Sequence, residues 1–270
     1  MFGKIAERLA GKTILITGAS TGIGYHTAKY FAEGAQGNLK LVLAARRKEK
    51  LEALKADLIK DFPEIKVHID ALDVSKTENI ATFLSGLPAE FSEIDVLVNN
   101  AGKALGLDPI GSVDEKDVSE MFDTNVLGMI QLTQLVVQQM KKRNCGDIVQ
   151  LGSVAGRNPY PGGGIYCATK AALRSFTHVL RQELINTKIR IIEIEPGNVA
   201  TDEFSLVRFK GDQAKASKVY QDTDPLYGTD IAELILFSCT RPANTVIAET
   251  LVFATNQASA YHIYRGSLEQ

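Results

Sequence analysis

Cysteine is scarce: Cys145, Cys167 and Cys239 are the three in a chain of 270 residues. They are too few and too scattered for a disulfide framework or a metal site with CxxC spacing, so a reducing compartment is expected. Net charge is scarce too. At −2, the chain carries no basic excess that would draw it to nucleic acid or to an anionic membrane, and neither is expected as a partner. No apolar run approaches the roughly 18 residues that cross a bilayer, and the opening MFGKIAERLAGK is too polar for a secretory signal. The expected location is the cytoplasm, the nucleus remaining open. Repeats, low-complexity tracts and Pro/Gly/Ser-rich linkers are also missing, so residues 1–270 are expected to form one domain, with 266–270 (GSLEQ) read as a non-native tail without function.

What is present is an alternation of strand and helix patterns in a chain that is 45% hydrophobic, enough for a full core. The apolar runs KTILIT, LKLVLAA, IKVHID, IDVLVNN, GDIVQLGS, IRIIEIEPG and TLVFA lack in/out alternation, which suits parallel strands buried on both faces. Amphipathic segments such as KEKLEALKADLIKDF and DVSEMFDTNVLGMIQLTQLVVQQMKK are long enough for right-handed crossovers. The predicted architecture is α/β: a single-domain, doubly wound parallel sheet of about seven strands. Ligands in such sheets bind beyond the carboxyl ends of the strands.

At the first of those ends stands ILITGASTGIGYHTAKYFAEGA. Thr17 closes a strand, and Gly18, Gly22 and Gly24 follow in the spacing TGxxxGxG, offering bare N–H groups and a helix N-terminus to a pyrophosphate. It is not a Walker A loop, because Ile23 and Gly24 stand where that motif needs Gly and Lys. A plain glycine turn is the alternative. The second strand ends LAARRKEKL, with Ala45 and then Arg46 and Arg47 where an acid often grips an adenosine ribose. A guanidinium pairs bidentately with phosphate, so Arg46 points to the 2′-phosphate of NADP(H), with Ser20 as a second donor. A solvated basic helix start is a fair account of Arg47, and a poorer one of Arg46. Asp73 and Val74 end the third strand, where a carboxylate can accept from an adenine amino group. The fourth ends in Asn99–Gly102 (NNAG), residues that also make ordinary turns.

The stretch LGSVAGRNPYPGGGIYCATKAALRSF carries Ser153 at the end of the fifth strand, then Tyr166 and Lys170 four residues apart, on one face of a helix. A cation about 6 Å from the phenol lowers its pKa by about two units at an effective dielectric near 20, within range of general acid/base work. Ser153 could hold a carbonyl oxygen in place. Taken alone, Tyr-x-x-x-Lys reads better as a core tyrosine with a surface lysine.

Together, TGxxxGxG, NNAG, Asn125 in the following long helix, Ser153 before YxxxK, and the pair Pro196–Gly197 after the next strand resemble, in order and spacing, the short-chain dehydrogenase/reductases, over essentially the whole chain. Within that family the chain is most similar to NADP-dependent 3-hydroxy acid dehydrogenases acting on L-serine and L-allo-threonine, in NNAGKALG, EFSLVRFKGD and NTVIAETLVFATNQAS. The resemblance implies NADP(H) held by Gly18, Ser20, Thr21, Gly22, Ile23 and Gly24 at the turn, by Arg46 and Arg47 at the phosphate, and by Asp73 and Val74 at the adenine. Asn99, Ala101 and Gly102 would lie at the ribose, and Pro196, Gly197, Val199 and Thr201 at the nicotinamide carboxamide. It implies Tyr166 as acid/base, Lys170 on the nicotinamide ribose, Ser153 on the substrate oxygen and Asn125 positioning a proton-relaying water. It also implies a homotetramer, with helices 112–140 and 161–186 as candidate faces.

Two departures stand out. Thr21 replaces a basic residue found in some NADP-preferring relatives, and Glu195 puts a charge before Pro196 where an apolar residue is expected, with nothing in the sequence to account for it. The long polar segment TDEFSLVRFKGDQAKASKVYQDTDPL reads as a lid. Arg208 within it, or Arg157 after Ser153, would anchor a substrate carboxylate, with a solvated lid arginine as the alternative. The leading reading is therefore a dehydrogenase of small 3-hydroxy acids (L-serine, L-allo-threonine, 3-hydroxyisobutyrate). A broad carbonyl or keto ester reductase is the alternative on the same machinery. A noncatalytic NADP(H)-binding protein is disfavoured, because it has no use for an acid/base pair.

Overall fold

The structure, a computed structural model, describes residues 2–201 and 203–266. The first turn of chain folds as α1 (Phe2–Leu9), followed by β1 (Thr13–Thr17), α2 (Gly22–Gly34), β2 (Lys40–Ala45), α3 (Lys48–Asp61), β3 (Lys66–Ala71) and α4 (Thr77–Ser85). The second half runs β4 (Val96–Asn99), α5 (Glu115–Phe122), α6 (Met129–Arg143), β5 (Gly146–Leu151), α7 (Gly164–Glu183) and β6 (Ile189–Pro196). It closes through β7 (Val199–Ala200), α8 (Phe204–Arg208), α9 (Gln213–Lys218), β8 (Leu226–Tyr227), α10 (Gly228–Cys239) and β9 (Glu249–Val252).

Seven parallel strands form the sheet, as the apolar runs predict, and they stand in the order β3-β2-β1-β4-β5-β6-β9. Neighbours in sequence along β1 bury into opposite layers. Ile14 and Ile16 pack with Phe31 of α2, Leu51 of α3 and Ile235 of α10, whereas Leu15 packs with Ile80 of α4, Leu132 of α6 and Leu180 of α7. Both faces of the sheet are covered, which is why its strands show no polar alternation. The chain winds outward from β1 to β3, then returns to place β4 on the other side of β1. That reversal opens a crevice at the carboxyl ends of β1 and β4.

The long helix expected over 112–140 is broken. Between α5 and α6 the residues Asp123–Gly128 form a π-helical turn. Gly128 sits so tightly on the Val74 carbonyl that a Cβ would have no room, and the wider turn carries Asn125 inward. The helix expected over 161–186 is α7, and the segment read as a lid contains α8 and α9. The expected tail from 267 onward lies outside the described residues.

Glu195 has a structural account. It lies beside Glu193 on one face of β6, both fully buried, and pairs with Arg157 and, at 3.4 Å, with Arg174 of α7. Glu249 of β9 joins the cluster through Arg157, through His178 at 2.6 Å and through Arg181 at 3.4 Å. Burial, then the charges of Glu195 and Glu249, push the Glu193 carboxyl up to about 7. Arg157 is thus spent in the sheet. Arg157→Ala is expected to cost about 2–3 kcal/mol, less than a fully buried pair because the arginine is partly exposed. A thermal melt should show Tm lower by about 5 °C or more.

Candidate active site

The turn after β1 leaves backbone bare. Gly18 and Gly22 adopt φ of 64° and 57°, the left-handed region that favours glycine. Asn100 ties this turn to the end of β4, its Nδ2 donating to the Thr17 and Gly18 carbonyls at 2.9 and 3.2 Å. The Thr17 hydroxyl accepts from the Asn100 and Ala101 amides, each at 3.1 Å. Thr21, at the N-cap of α2, makes no side-chain cap hydrogen bond. The first-turn amides at Gly22 and Ile23 therefore line the crevice uncapped, a setting that favours an anion. The cavity they border measures about 530 Å³, within the range of cofactor and small-molecule sites.

Ser20, Arg46, Arg47, Asp73 and Val74 line one end of it. Arg46 is exposed at the rim and forms no ion pair among the described residues. Burial pushes the Asp73 carboxyl up, but hydrogen bonds from the Ser75 hydroxyl and amide, with the charge of Arg46, outweigh it and hold the group below the usual carboxylate range. Arg47 is engaged by Glu203, from the segment after β7: Nη1 donates to Oε1 at 2.8 Å and Nη2 to Oε2 at 2.5 Å.

Ser153, Tyr166 and Lys170 gather at the other end. The Lys170 Nζ donates to the Leu151 carbonyl at 2.6 Å and stands 5.9 Å from the Tyr166 ring centre. Burial lowers the lysine to about 8, with Glu193 opposing the shift. The phenol departs from expectation. Burial raises the Tyr166 pKa above its ordinary value, against a hydrogen bond with Ser153 and the charge of Arg208, which lower it. The desolvation of a phenolate here outweighs the nearby cation, so the group holds its proton at neutral pH. The Ser153 hydroxyl also accepts from the Ala155 amide at 3.1 Å. A proton donor and a hydroxyl thus converge on one wall of the cavity, the arrangement that polarises and protonates a carbonyl oxygen.

The lid closes over this end. Phe204 meets Tyr166 edge-on with ring centres 6.1 Å apart. The Arg208 guanidinium lies 5.9 Å from the Tyr166 ring centre and lines the same cavity. Its Nε donates to the Gly106 carbonyl at 3.2 Å and its Nη2 to the Tyr160 hydroxyl at 2.8 Å, leaving Nη1 without a partner among the described residues. Tyr220 braces the lid, its hydroxyl donating to the Val199 carbonyl at 2.9 Å and accepting from Ser205 at 2.9 Å.

Of the other expected contacts, Ala101, Gly102, Pro196, Gly197, Val199 and Thr201 line the cavity. Three sequence expectations are corrected. Arg157 faces Glu195 and Glu249 instead of the cavity. The Asn99 side chain turns to Thr133 of α6, donating at 2.8 Å, and Asn100 takes its place at the wall. Gly24 lies behind the turn, where a Cβ would stand 2.5 Å from the Gly18 carbonyl oxygen; it allows close packing and does not line the cavity. Asn125 lies behind the wall, accepting from the Lys103 amide at 2.9 Å and donating to the Lys103 carbonyl at 2.8 Å, so it positions that backbone. Tyr160 lines the cavity without having been expected there, and the segment read as a lid brings Glu203, Phe204 and Tyr220 to it. The only signal for Tyr160 was an aromatic between prolines in NPYPGGG.

Residues 12–209 match the family model for short chain dehydrogenase. An NADP-dependent 3-hydroxy acid dehydrogenase of Schizosaccharomyces pombe is 50% identical over 259 residues, which cover 96% of this chain and 98% of that one. Sulfoacetaldehyde reductase 2 of Chromohalobacter salexigens is 40% identical over 254 residues, covering 93% and 98%. Among solved structures, the closed form of serine dehydrogenase complexed with NADP+ matches with a TM-score of 0.86 at 40% identity, over 94% of this chain and 99% of that one.

Proposed function

The chain belongs to the short-chain dehydrogenase family, and from that premise we propose that it is an NADP(H)-dependent oxidoreductase of small 3-hydroxy acids such as L-serine, L-allo-threonine and 3-hydroxyisobutyrate. The observation that carries the substrate class is Arg208, a guanidinium with Nη1 unengaged, on the cavity wall beside Tyr166. A carboxylate paired there would put the hydroxyl-bearing carbon of a short chain against the phenol. The names of the relatives agree in kind: 3-hydroxy acids and serine carry a carboxylate, and sulfoacetaldehyde carries a sulfonate.

The cavity fits the dinucleotide. The uncapped start of α2 would take the pyrophosphate and Arg46 the 2′-phosphate, while Asp73 would accept from the adenine amino group. When bound, the nicotinamide supplies or takes up the hydride. Tyr166 would pass the proton to or from the substrate oxygen, Ser153 would hold that oxygen, and Lys170 would grip the nicotinamide ribose. Asn125 would act from behind, through Lys103, on a water that relays protons. We read the assembly as a homotetramer, with the exposed apolar side chains Leu127 and Val179 on the helices it would cover.

Initial rates with NADP+ across 3-hydroxy acids and simple secondary alcohols, and with NADPH across keto esters and sulfoacetaldehyde, test the reading. Anionic substrates should lead. Equal rates for charged and uncharged substrates would instead favour a broad carbonyl reductase. For the cofactor, Arg46→Ala is expected to raise the KM for NADP+ about tenfold or more, the worth of one charge-assisted contact, with little change for NAD+. An unaltered NADP+/NAD+ ratio in steady-state rates would remove Arg46 from the role.

A further inference from the structure

The adenosine end of the cavity contains a carboxylate that the proposed function leaves unused. Glu203 lines that end and holds three partners at once. It takes the bidentate edge of Arg47 at 2.8 and 2.5 Å, the ammonium of Lys50 at 2.6 Å, and the hydroxyl of Thr21 at 3.4 Å. The same guanidinium reaches Ser20 through Nη2 at 3.3 Å. Arg47 is therefore the meeting point of the lid segment and the residues proposed to read the 2′-phosphate.

We propose that Glu203 is a specificity-determining residue that competes with the 2′-phosphate of NADP(H) for Arg47 and Lys50. Resting on the reading that this phosphate sits at the end of β2, the inference follows from donor geometry. A guanidinium has two edges that can take a bidentate anion, and Glu203 occupies the Nη1/Nη2 edge of Arg47. A phosphate that takes this edge displaces the carboxylate, and one that settles for the Nε side, or for Arg46 and Ser20, lies close to a second anion. Either way Glu203 weakens phosphate binding, because like charges a few ångströms apart repel at a protein surface. Hydrogen bonding from Arg47, followed by that from Lys50, holds the carboxyl at about 2, so it stays anionic and never yields by protonation. The departure at Thr21 fits the same design. There the chain places a hydroxyl that donates to Glu203, so the phosphate end is balanced and not merely basic. The consequence is a site that selects the phosphate through Arg46 yet releases the dinucleotide readily.

Glu203→Gln keeps the shape and removes the charge. The test measures binding of 2′,5′-ADP and of 5′-AMP by calorimetry, since these probes differ only in the 2′-phosphate and neither reaches the nicotinamide end under the lid. NADPH dissociation, followed by stopped-flow fluorescence, gives a second readout. The parent should prefer 2′,5′-ADP. The variant should bind 2′,5′-ADP about tenfold more tightly, bind 5′-AMP as the parent does, and release NADPH correspondingly more slowly. If the parent prefers 2′,5′-ADP but the variant binds it equally or more weakly, Glu203 organises Arg47 instead of competing for it, and the inference is overturned while the cofactor reading stands. If both probes weaken together, Glu203 is a strut of the lid and the inference also fails. If the parent binds both probes alike, the placement of the phosphate is wrong and the inference goes with it.

Discussion

Tyr166→Phe is expected to lower kcat by about 10²–10⁴-fold, the range supplied by a positioned acid or base, while NADPH still binds. The substitution keeps the ring that meets Phe204 edge-on and lies 5.9 Å from both Lys170 Nζ and the Arg208 guanidinium. What disappears is the hydroxyl and the hydrogen bond it shares with Ser153. Binding and chemistry should therefore separate, with an NADPH Kd close to the parent's by fluorescence titration. In the parent, oxidation of a hydroxy acid needs the phenolate. Because burial raises the phenol, the reacting fraction grows as pH climbs, so the oxidative rate should rise with pH and the reductive rate should not. A Phe variant that retains a large share of the parent's kcat would place the proton elsewhere.

Arg208→Ala is expected to lower kcat/KM for L-serine, L-allo-threonine or 3-hydroxyisobutyrate by about ten- to a hundredfold, since a hydrogen bond to a charged group is worth about 1.5–3 kcal/mol. An uncharged keto ester should lose little. The comparison matters because Arg208 has a second job: it joins α8 to the loop after β4 through the Gly106 carbonyl and to the segment before α7 through the Tyr160 hydroxyl. Losing that joint alone would slow every substrate alike, through a lid that closes less often. Only loss of the anion contact separates charged from uncharged substrates. Equal losses measured on both would assign Arg208 to the lid and favour the broad carbonyl reductase.

The sequence by itself determined the sheet, the glycine turn and the Tyr166–Lys170 pair. Each is a local pattern whose consequence follows from the chain's own geometry. Unalternating Val, Ile and Leu runs belong between two layers, a left-handed φ at Gly18 and Gly22 calls for glycine, and residues four apart share a helix face. Tertiary structure alone decided the rest. In sequence, Arg208 and its rival Arg157 both offer a guanidinium to a carboxylate. Glu195 and Glu249, 38 and 92 residues beyond Arg157, draw it into the sheet, while Tyr160 and Gly106, 48 and 102 residues before Arg208, hold that side chain at the cavity. Glu203 reaches Arg47 across 156 residues, a pairing no local pattern announces. The Tyr166 phenol follows the same rule: the lysine four residues away predicts a lowered pKa, yet in the folded site the desolvation of a phenolate outweighs it and the pKa rises instead. Side-chain direction and desolvation depend on what folds across from a residue, and that information lies in contacts distant along the chain.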